Sequence, residues 1–412
     1  MNVVVTVEHR FFRTPDGAVW TQGLHAYPFW NHYLSVFEGV KVVARVRDVL
    51  RPEPDWCQAS GTAVRFLAVP DYLGPWQYLA KSVSIRRAIR ESVDPRDAVI
   101  MRVSSHIAGC LEPVLFRRGQ PYGLQVVSDP FEMYAPGAVD YRLRPLFRWR
   151  LTRQLRRQCQ RAAAAAYVTE QALQSRYPCA GFTVGFSDVE IPPEALRDTP
   201  RAFSRAADPR REFRLVTLAS LAQMYKAPDV LIRAVAEGVQ AGLNLQLRIA
   251  GDGKHRAAME RLTAALGLAD RVHFLGQVPA GARVREELDS SDLFLLPSRA
   301  EGLPRALVEA MARSLPCIGS TVGGIPELLV SEDLVPPGDT VSLARKLIEV
   351  LREPNRMDAM AARNLLRATD FRDDLLEARR RAFFHEVRRV TARWIGASAS
   401  GQRLKPAETE GY

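Results

Sequence analysis

The sequence predicts an α/β protein with two doubly wound parallel-sheet domains, and three observations carry this prediction. The chain has 412 residues, which is long for a single core and favours two domains of roughly 200 residues each. In residues 213–352, short apolar runs alternate with amphipathic runs of helical periodicity, the pattern of βαβ units. The first half contains the same ingredients less regularly, so we expect a second sheet of the same kind.

The first half contains six apolar runs that read as strands. They are NVVVTV, VKVVARV, AVRFLAV, AVIMRVS, YGLQVVS and AAAAYVT. Helical stretches are predicted over residues 28–37 and 77–92. A segment rich in proline and charge, 188–213, marks the linker between the domains. We therefore place an N-terminal domain at residues 1–195.

The second half gives strands at FRLVTLAS, LNLQLRIAG, RVHFLGQV, DLFLLPS and PCIGSTV, separated by helices. A C-terminal domain is predicted at residues 196–370. The stretch 371–395 reads as a long final helix that packs back toward the N-terminal domain. Residues 396–412 have little to bury and are predicted to be a disordered tail.

Composition limits the possible partners and surroundings. The five cysteines are scattered without a CxxC pair, which indicates a reduced, cytoplasmic protein with neither a disulfide framework nor a zinc site. The formal charge is +11, and arginines concentrate in residues 141–161 among Leu, Phe and Trp. This mixture is typical of a helix that contacts an anionic membrane surface; the alternative is a solvated helix. Nucleic-acid binding is disfavoured because no zinc-finger or RRM signature accompanies the charge.

The segment SRAEGLPRALVEAMARSLP, residues 298–316, follows a predicted strand and opens a helix. Pro304 is expected as the first helical residue, which places Glu301 before the helix and Glu309 within it. Amides at the start of a helix receive phosphate or hydroxyl oxygens readily. We expect this role of the amides around Gly302, Leu303 and Arg305. The plain alternative is a surface carboxylate followed by an ordinary helical glutamate.

Several other site classes are disfavoured by the motifs. Gly251 and Gly253 begin a glycine pattern, but Arg256 stands where a dinucleotide fingerprint needs its third glycine. No P-loop and no Gly-x-Ser-x-Gly elbow is found. The sequence also has no Asp-x-Asp and no His-x-x-x-His, so no metal site is expected.

Taken together, LASLAQMYKAPDVLIRAV, LRIAGDG, RVHFLGQVP, the 298–316 segment and VGGIPELL strongly resemble glycosyltransferase family 4, over roughly residues 213–352. The resemblance implies a GT-B fold, in which two Rossmann-like domains face each other across a cleft. It also implies retaining transfer of a sugar from a nucleotide-diphosphate sugar, without a metal or any other cofactor.

The resemblance assigns roles to individual residues. Glu301 would contact the donor sugar near its reacting carbon, and Glu309 would accept from the ribose hydroxyls. Lys226 and the amides of residues 302–305 would hold the diphosphate. The remaining positions assigned to the donor are Gln277 and Val278, which would contact the base, together with Gly251 and Gly17.

The sequence departs from the family pattern in two places. Ser220 stands where the family usually has a phosphate-binding arginine; either Ser220 donates a weaker hydrogen bond or an arginine elsewhere, such as Arg305, compensates. The histidine that the family often shows after a central N-terminal strand has two candidate equivalents, His106 and Asp129, and both are kept as catalytic candidates.

The sequence thus predicts a cytoplasmic retaining glycosyltransferase that uses a UDP- or GDP-sugar and a hydroxyl acceptor. The acceptor is expected in cell-envelope, exopolysaccharide or glycolipid synthesis, lipid-linked or polysaccharide, with peripheral membrane contact through residues 141–161. Two alternatives remain: a nucleotide-sugar binding protein with weak or no catalysis, and a GT-B nucleotide-sugar epimerase.

Overall fold

The chain divides into two compact units. The structure is a computed structural model that describes residues 1–23, 25–139, 141–189, 191–203 and 211–400. Unit 1 comprises Met1–Val127, Arg153–Phe186 and the chain from Glu377 onward, and unit 2 comprises Ser128–Thr152 and Ser187–Leu376. This division differs from the predicted domain ranges in two places, because residues 128–152 and 187–195, both predicted in the N-terminal domain, group with the C-terminal sheet.

Unit 1 is built on a sheet with seven parallel strands among the described residues, in the order β5-β3-β1-β6-β7-β8-β9. The six predicted strands are all present, and three short ones were not predicted: β2 and β4, which form an antiparallel extension beside the end of β1, and β9. The bounds are β1 Val3–Arg13, β2 Val19–Thr21, β3 Val40–Asp48, β4 Cys57–Gln58, β5 Val64–Pro70, β6 Ala98–Val103, β7 Gly123–Val126, β8 Ala164–Tyr167 and β9 Phe182–Gly185.

The described residues of the first half form seven helices: α1 Tyr27–Leu34, α2 Gly74–Ala80, α3 Ser82–Glu91, α4 His106–Arg118, α5 Pro130–Met133, α6 Arg144–Arg161 and α7 Ala172–Arg176. The short helices α5 and α7 were not predicted, and neither was α4, because Gly109 and Pro113 interrupt its sequence. Ser105 nevertheless caps it by accepting from the Ala108 amide at 2.9 Å, and Gly119 ends it with a left-handed φ of 64°.

Unit 2 is built on a parallel sheet of six described strands in the order β12-β11-β10-β13-β14-β15. Their bounds are β10 Phe213–Leu218, β11 Leu245–Ala250, β12 Val272–Gly276, β13 Leu293–Leu296, β14 Cys317–Ser320 and β15 Leu334–Val335. The order reverses between β10 and β13. In an open α/β sheet this reversal leaves a crevice at the carboxyl ends of the two strands, where ligands bind.

The helices of the second half are α8 Pro228–Gln240, α9 Arg256–Ala265, α10 Ala282–Asp289, α11 Arg305–Ala312, α12 Ile325–Leu328, α13 Thr340–Arg352, α14 Pro354–Ala368 and α15 Asp373–Ala399. Apolar clusters cover both faces of the unit 2 sheet, and so its strands are continuous apolar runs. The final helix runs to Ala399, so residues 396–399 of the predicted disordered tail are helical, while 401–412 lie outside the described residues.

The part of α15 in unit 1 packs through aromatic side chains. The rings of Tyr33 and Phe384 stack with centroids 4.6 Å apart. A Cβ on Gly123 would meet Val387 at 2.5 Å, so the helix lies directly against β7. This contact buries Phe383 and Phe384 completely.

Candidate functional site

Two predicted site residues meet where the unit 2 sheet reverses its strand order. The chain leaving β10 ends in a 3-10 turn, Met224–Lys226, and the chain leaving β13 carries Glu301. Lys226 Nζ donates to Glu301 Oε1 at 2.6 Å, and Ser298 Oγ donates to the same oxygen at 2.7 Å. The two charged side chains are only 12% and 7% exposed, so each carries a largely desolvated charge that the other neutralises.

An arginine that the sequence analysis did not single out joins the two loops. The Arg299 amide donates to the Tyr225 carbonyl at 2.6 Å, and its guanidinium donates to the Met224 carbonyl at 3.0 Å. The same guanidinium binds both carboxylate oxygens of Asp229, at 2.8 and 2.7 Å. The position of Lys226 relative to Glu301 therefore depends on Arg299.

The loop that carries Glu301 is supported from behind by a glycine pair. Gly323 has a left-handed φ of 54°, and a Cβ there would lie 2.2 Å from the Glu301 carbonyl oxygen. The Gly324 amide donates to the Gly302 carbonyl at 2.7 Å. Only glycine permits so close a backbone approach, which explains VGG at this point of the sequence.

Helix α11 begins at Arg305, and Pro304 precedes it in an extended conformation with ψ 111°. The expectation that Pro304 is the first helical residue was therefore wrong by one position: Pro304 is the N-cap. Within the described chain the amides of Gly302 and Leu303 donate no backbone hydrogen bond, so they are available to a ligand. Arg305 is exposed and donates to the Asp188 carbonyl at 3.3 Å.

Glu309 lies one turn into α11 and is partly buried. Burial raises the pKa of its carboxyl group, and the nearby guanidinium groups of Arg305 and Arg285 oppose that shift. The carboxylate forms no salt bridge or side-chain hydrogen bond with the residues that the structure describes. A buried carboxylate of this kind gains most from hydroxyl donors.

The loops after β10, β11 and β12 reach the same edge of the sheet. The Gly251 amide donates to the Gly276 carbonyl at 2.8 Å, and a Cβ on Gly251, whose φ is 142°, would lie 2.1 Å from the Ala219 carbonyl oxygen. Ser220 is exposed, and its Oγ accepts from the Ala222 amide at 3.3 Å. Gln277 and Val278 follow β12, with Gln277 exposed and Val278 half-buried.

His106 and Gly17 both belong to unit 1. His106 is exposed at the start of α4, where its amide donates to Glu8 Oε2 at 2.9 Å; the positive end of this helix therefore already holds a carboxylate. Gly17, expected in a glycine loop near the donor phosphate, instead forms the hairpin turn between β1 and β2, with its amide donating to the Thr14 carbonyl at 2.9 Å. Their roles at the donor stay predictions.

Asp129 is buried in unit 2 with 3% of its surface exposed. Its Oδ1 accepts from the Phe131 amide at 2.9 Å and so caps α5. A capping role is a structural reason for a buried aspartate, and the catalytic assignment of Asp129 stays a prediction.

The arginine-rich segment 141–161 contains the whole of α6, and its arginines have different surroundings. Arg157 and Arg161 pair with the fully buried Glu112 at 3.1 and 2.9 Å. Arg148 stacks on the Phe131 ring at 3.6 Å. Trp149 is 62% exposed, and Leu143 and Leu146 are each more than half exposed. The solvent-facing side of α6 thus mixes cations with large apolar side chains.

No group of three or more His, Cys, Asp or Glu side chains in the described part of the chain is arranged to hold a metal ion. Among the described helices, none combines the length and the apolar character needed to cross a bilayer.

Comparison with known proteins gives matches for both the sequence and the fold. Residues 212–353 match the family model described as Glycosyl transferases group 1. Protein CapJ of Staphylococcus aureus is 26% identical over 322 residues, which cover 78% of this chain and 79% of that protein. Seven other curated relatives are 30–36% identical, but the chain spans only 35–44% of their length.

Solved structures match along nearly the whole chain. Sucrose-phosphate synthase from Thermosynechococcus elongatus has a TM-score of 0.69 at 18% identity, over 95% of this chain and 100% of that one. HepE of Anabaena, solved in complex with UDP and glucose, has a TM-score of 0.61 at 15% identity, over 97% and 100%. The range matched by the family model includes the loops that carry Lys226, Gly251, Gln277 and Glu301.

Proposed function

The chain carries a glycosyl transferases group 1 domain and has the GT-B fold, and on this premise we propose that it is a retaining, metal-independent glycosyltransferase. The donor is a nucleotide-diphosphate sugar, a UDP- or GDP-sugar, and the acceptor is a hydroxyl group. The observation that carries the proposal is the ion pair of Lys226 and Glu301 at the switch point of the unit 2 sheet.

The pair supplies both charges that sugar transfer requires. When the bond between the sugar carbon and the diphosphate oxygen breaks, positive charge develops on the sugar and negative charge on the phosphate. The Glu301 carboxylate stabilises the first and the Lys226 ammonium stabilises the second. Preorganised charges in a site shielded from water are the largest common source of rate enhancement.

The leaving phosphate can act as the base. A phosphate oxygen on the departing side takes the proton of the acceptor hydroxyl, while the acceptor oxygen bonds to the same face of the sugar carbon. The configuration at this carbon is then retained, and no enzymatic nucleophile is required. The Lys226 ammonium supplies, beside the diphosphate, the positive charge that a divalent metal ion supplies in other transferases.

The remaining donor contacts come from the neighbouring loops. The amides of Gly302 and Leu303, in the loop that leads into α11, donate to phosphate oxygens in this proposal. The partly buried Glu309 carboxylate accepts hydrogen bonds from the ribose hydroxyl groups. These would replace the hydrogen bonds that it lacks within the described chain. Gln277 and Val278 contact the base.

The acceptor belongs to cell-envelope, exopolysaccharide or glycolipid synthesis in this proposal. Support comes from α6, where Trp149, Leu146 and neighbouring arginines form a basic and apolar face. Such a face suits an anionic lipid surface, at which lipid-linked acceptors are found. Trp149→Glu should reduce sedimentation with vesicles that contain phosphatidylglycerol, whereas unchanged sedimentation would contradict the membrane contact.

Two substitutions in the donor site test the main proposal. Glu301→Gln should abolish sugar transfer while nucleotide affinity is kept, and Glu309→Ala should mainly weaken nucleotide binding. Full activity in both variants would refute the assignment. Nucleotide binding without turnover would favour a binding protein, and conversion of the nucleotide-sugar into its epimer without an acceptor would favour an epimerase.

A further inference from the structure

A cavity of about 720 Å³ lies within unit 2, outside the contacts described above. One wall is the segment that leads into α6, and the other consists of the loops before α8 and α9. The lining residues are Gly137, Ala138, Val139, Tyr141, Arg142, Arg144, Pro145, Gln223, Met224, Lys254 and His255. Three of these are cations, and none of the described lining residues is acidic.

A second feature adds positive charge to the described lining of this cavity. Helix α6 begins at Arg144 and α9 begins directly after His255. The first turn of a helix carries partial positive charge from its free amides. Two helices of 18 and 10 residues therefore add their positive ends to the charges of the side chains.

The cations that line this cavity form no salt bridges with carboxylates of the described chain. Arg142 and Lys254 form no salt bridge with another described residue, and the only described hydrogen bond of the Arg144 guanidinium is to the Tyr134 carbonyl, at 3.3 Å. Elsewhere in the described chain, arginines commonly pair with carboxylates, as Arg299 does with Asp229. Several positive charges around one open cavity repel each other, and an anion relieves that repulsion.

We propose that this cavity binds a phosphate group of a substrate, at a position separate from the diphosphate bound by Lys226. Two guanidinium groups match the geometry of phosphate oxygens, and Lys254 adds a point charge. The volume exceeds that of a phosphate alone and leaves room for a sugar ring or a headgroup. The site stands without the proposed function, whereas its assignment to the acceptor rests on that function.

The position of the cavity is consistent with an acceptor. Met224 lines it, and Lys226, two residues further along the same 3-10 turn, binds Glu301. One short turn therefore contributes to both sites. A phosphate held against Met224 would place the rest of its molecule next to the reacting sugar.

Phosphate binding by the full chain gives a direct test. The probe is inorganic phosphate, titrated by calorimetry at constant ionic strength against a chloride reference. Arg142→Ser combined with Arg144→Ser should weaken binding by roughly 10-fold or more, and Lys254→Ala should weaken it by less. Arg150→Ser, on α6 but outside the cavity lining, is the matched control and should bind as the unaltered protein does. Lys254→Ala also serves if the double variant fails to fold.

A second titration, with glucose 6-phosphate and UDP, separates the two sources of phosphate. If the two sites are separate, the double variant loses affinity for glucose 6-phosphate and keeps its affinity for UDP. Lys226→Ala then loses affinity for UDP and keeps its affinity for glucose 6-phosphate. If the double variant loses UDP instead, the cavity holds the donor diphosphate and the proposal of a separate site is overturned. Phosphate affinity that is absent, or equal in all variants, overturns the site itself. None of these readouts depends on turnover, so a failure of the proposed function would be seen separately.

Discussion

Arg299 binds Asp229 through two parallel hydrogen bonds of 2.8 and 2.7 Å while it also donates to the Met224 carbonyl. Asp229 lies in the first turn of α8, and Arg299 lies in the loop after β13. The pair thus fixes the Met224–Lys226 turn, which directly precedes α8, against the loop that carries Glu301.

Replacing Arg299 by lysine should lower the transfer rate by roughly 10-fold or more, because a single ammonium cannot keep two hydrogen bonds to Asp229 and a third to the Met224 carbonyl. Lysine preserves the positive charge of Arg299. A loss of transfer rate would therefore result from a change in the position of the turn that carries Lys226. Steady-state kinetics would measure it, with Arg261→Lys on the exposed face of α9 as the control. Equal rates in the two variants would show that the turn is held by other contacts.

Glu309 gives a pH-dependent prediction. Burial raises its pKa in the folded protein above the usual 4.5, so the folded state holds the proton more tightly than the unfolded state does. This contribution to stability is complete below pH 4.5 and is lost as the pH rises through the raised value. Glu309→Gln, which stays neutral, should therefore melt at a higher temperature than the unaltered protein at pH 8, and the difference should narrow toward pH 4.

The melting measurement has its control in Glu286→Gln, an exposed glutamate on α10. That substitution should leave the pH dependence unchanged. If Glu309→Gln melted at a lower temperature than the unaltered protein at pH 8, the Glu309 carboxylate of the unaltered protein would have to be stabilised by nearby positive charges.

Ser220→Arg should strengthen the binding of nucleoside diphosphate by roughly 10-fold. Ser220 is exposed, and its only described side-chain hydrogen bond is the 3.3 Å contact with the Ala222 amide, so a longer side chain finds room. Calorimetry with UDP and GDP would give the two affinities, and Gln223→Arg tests whether a cation anywhere in the loop suffices. An unchanged affinity in Ser220→Arg would place the diphosphate away from this loop.

Gly251→Ala should destabilise the protein by more than about 3 kcal/mol, because the new methyl group would clash with the Ala219 carbonyl. Gly267 also has a positive φ, of 69°, but nothing lies within 4 Å of its Cβ position. Gly267→Ala should therefore cost only about 1 kcal/mol. Denaturant unfolding of both variants isolates the clash, and similar losses in the two would mean that the loops after β10 and β11 can separate.

Most of the fold could be predicted because its strands are apolar on both faces and its helices have clear periodicity. The exceptions have local causes. Helix α4 contains Pro113 and Gly109, which disfavour a helix in isolation, and its packing on β6 compensates. The strands β2 and β4 are two or three residues long, too short for an alternation to be recognised.

The site was predictable in its parts but not in its contacts. Lys226 and Glu301 were each assigned to the donor, yet their pairing joins residues 75 positions apart, and no periodicity reports such a distance. Arg299 and Asp229 carried no signal at all, since charged residues beside a strand end or in a first helical turn are common. The grouping of residues 128–152 with unit 2 is likewise a long-range packing result.

The pairing of Lys226 with Glu301 also determines which anions the resting protein will accept. Chloride or a lone carboxylate offers Lys226 no more than Glu301 already provides at 2.6 Å, so such an ion gains nothing by entering. A diphosphate, with at least two negative charges and several oxygens, can draw the ammonium away and still leave the carboxylate free for the sugar. In the proposed donor site, the pair therefore favours multivalent anions over monovalent ones before a sugar binds.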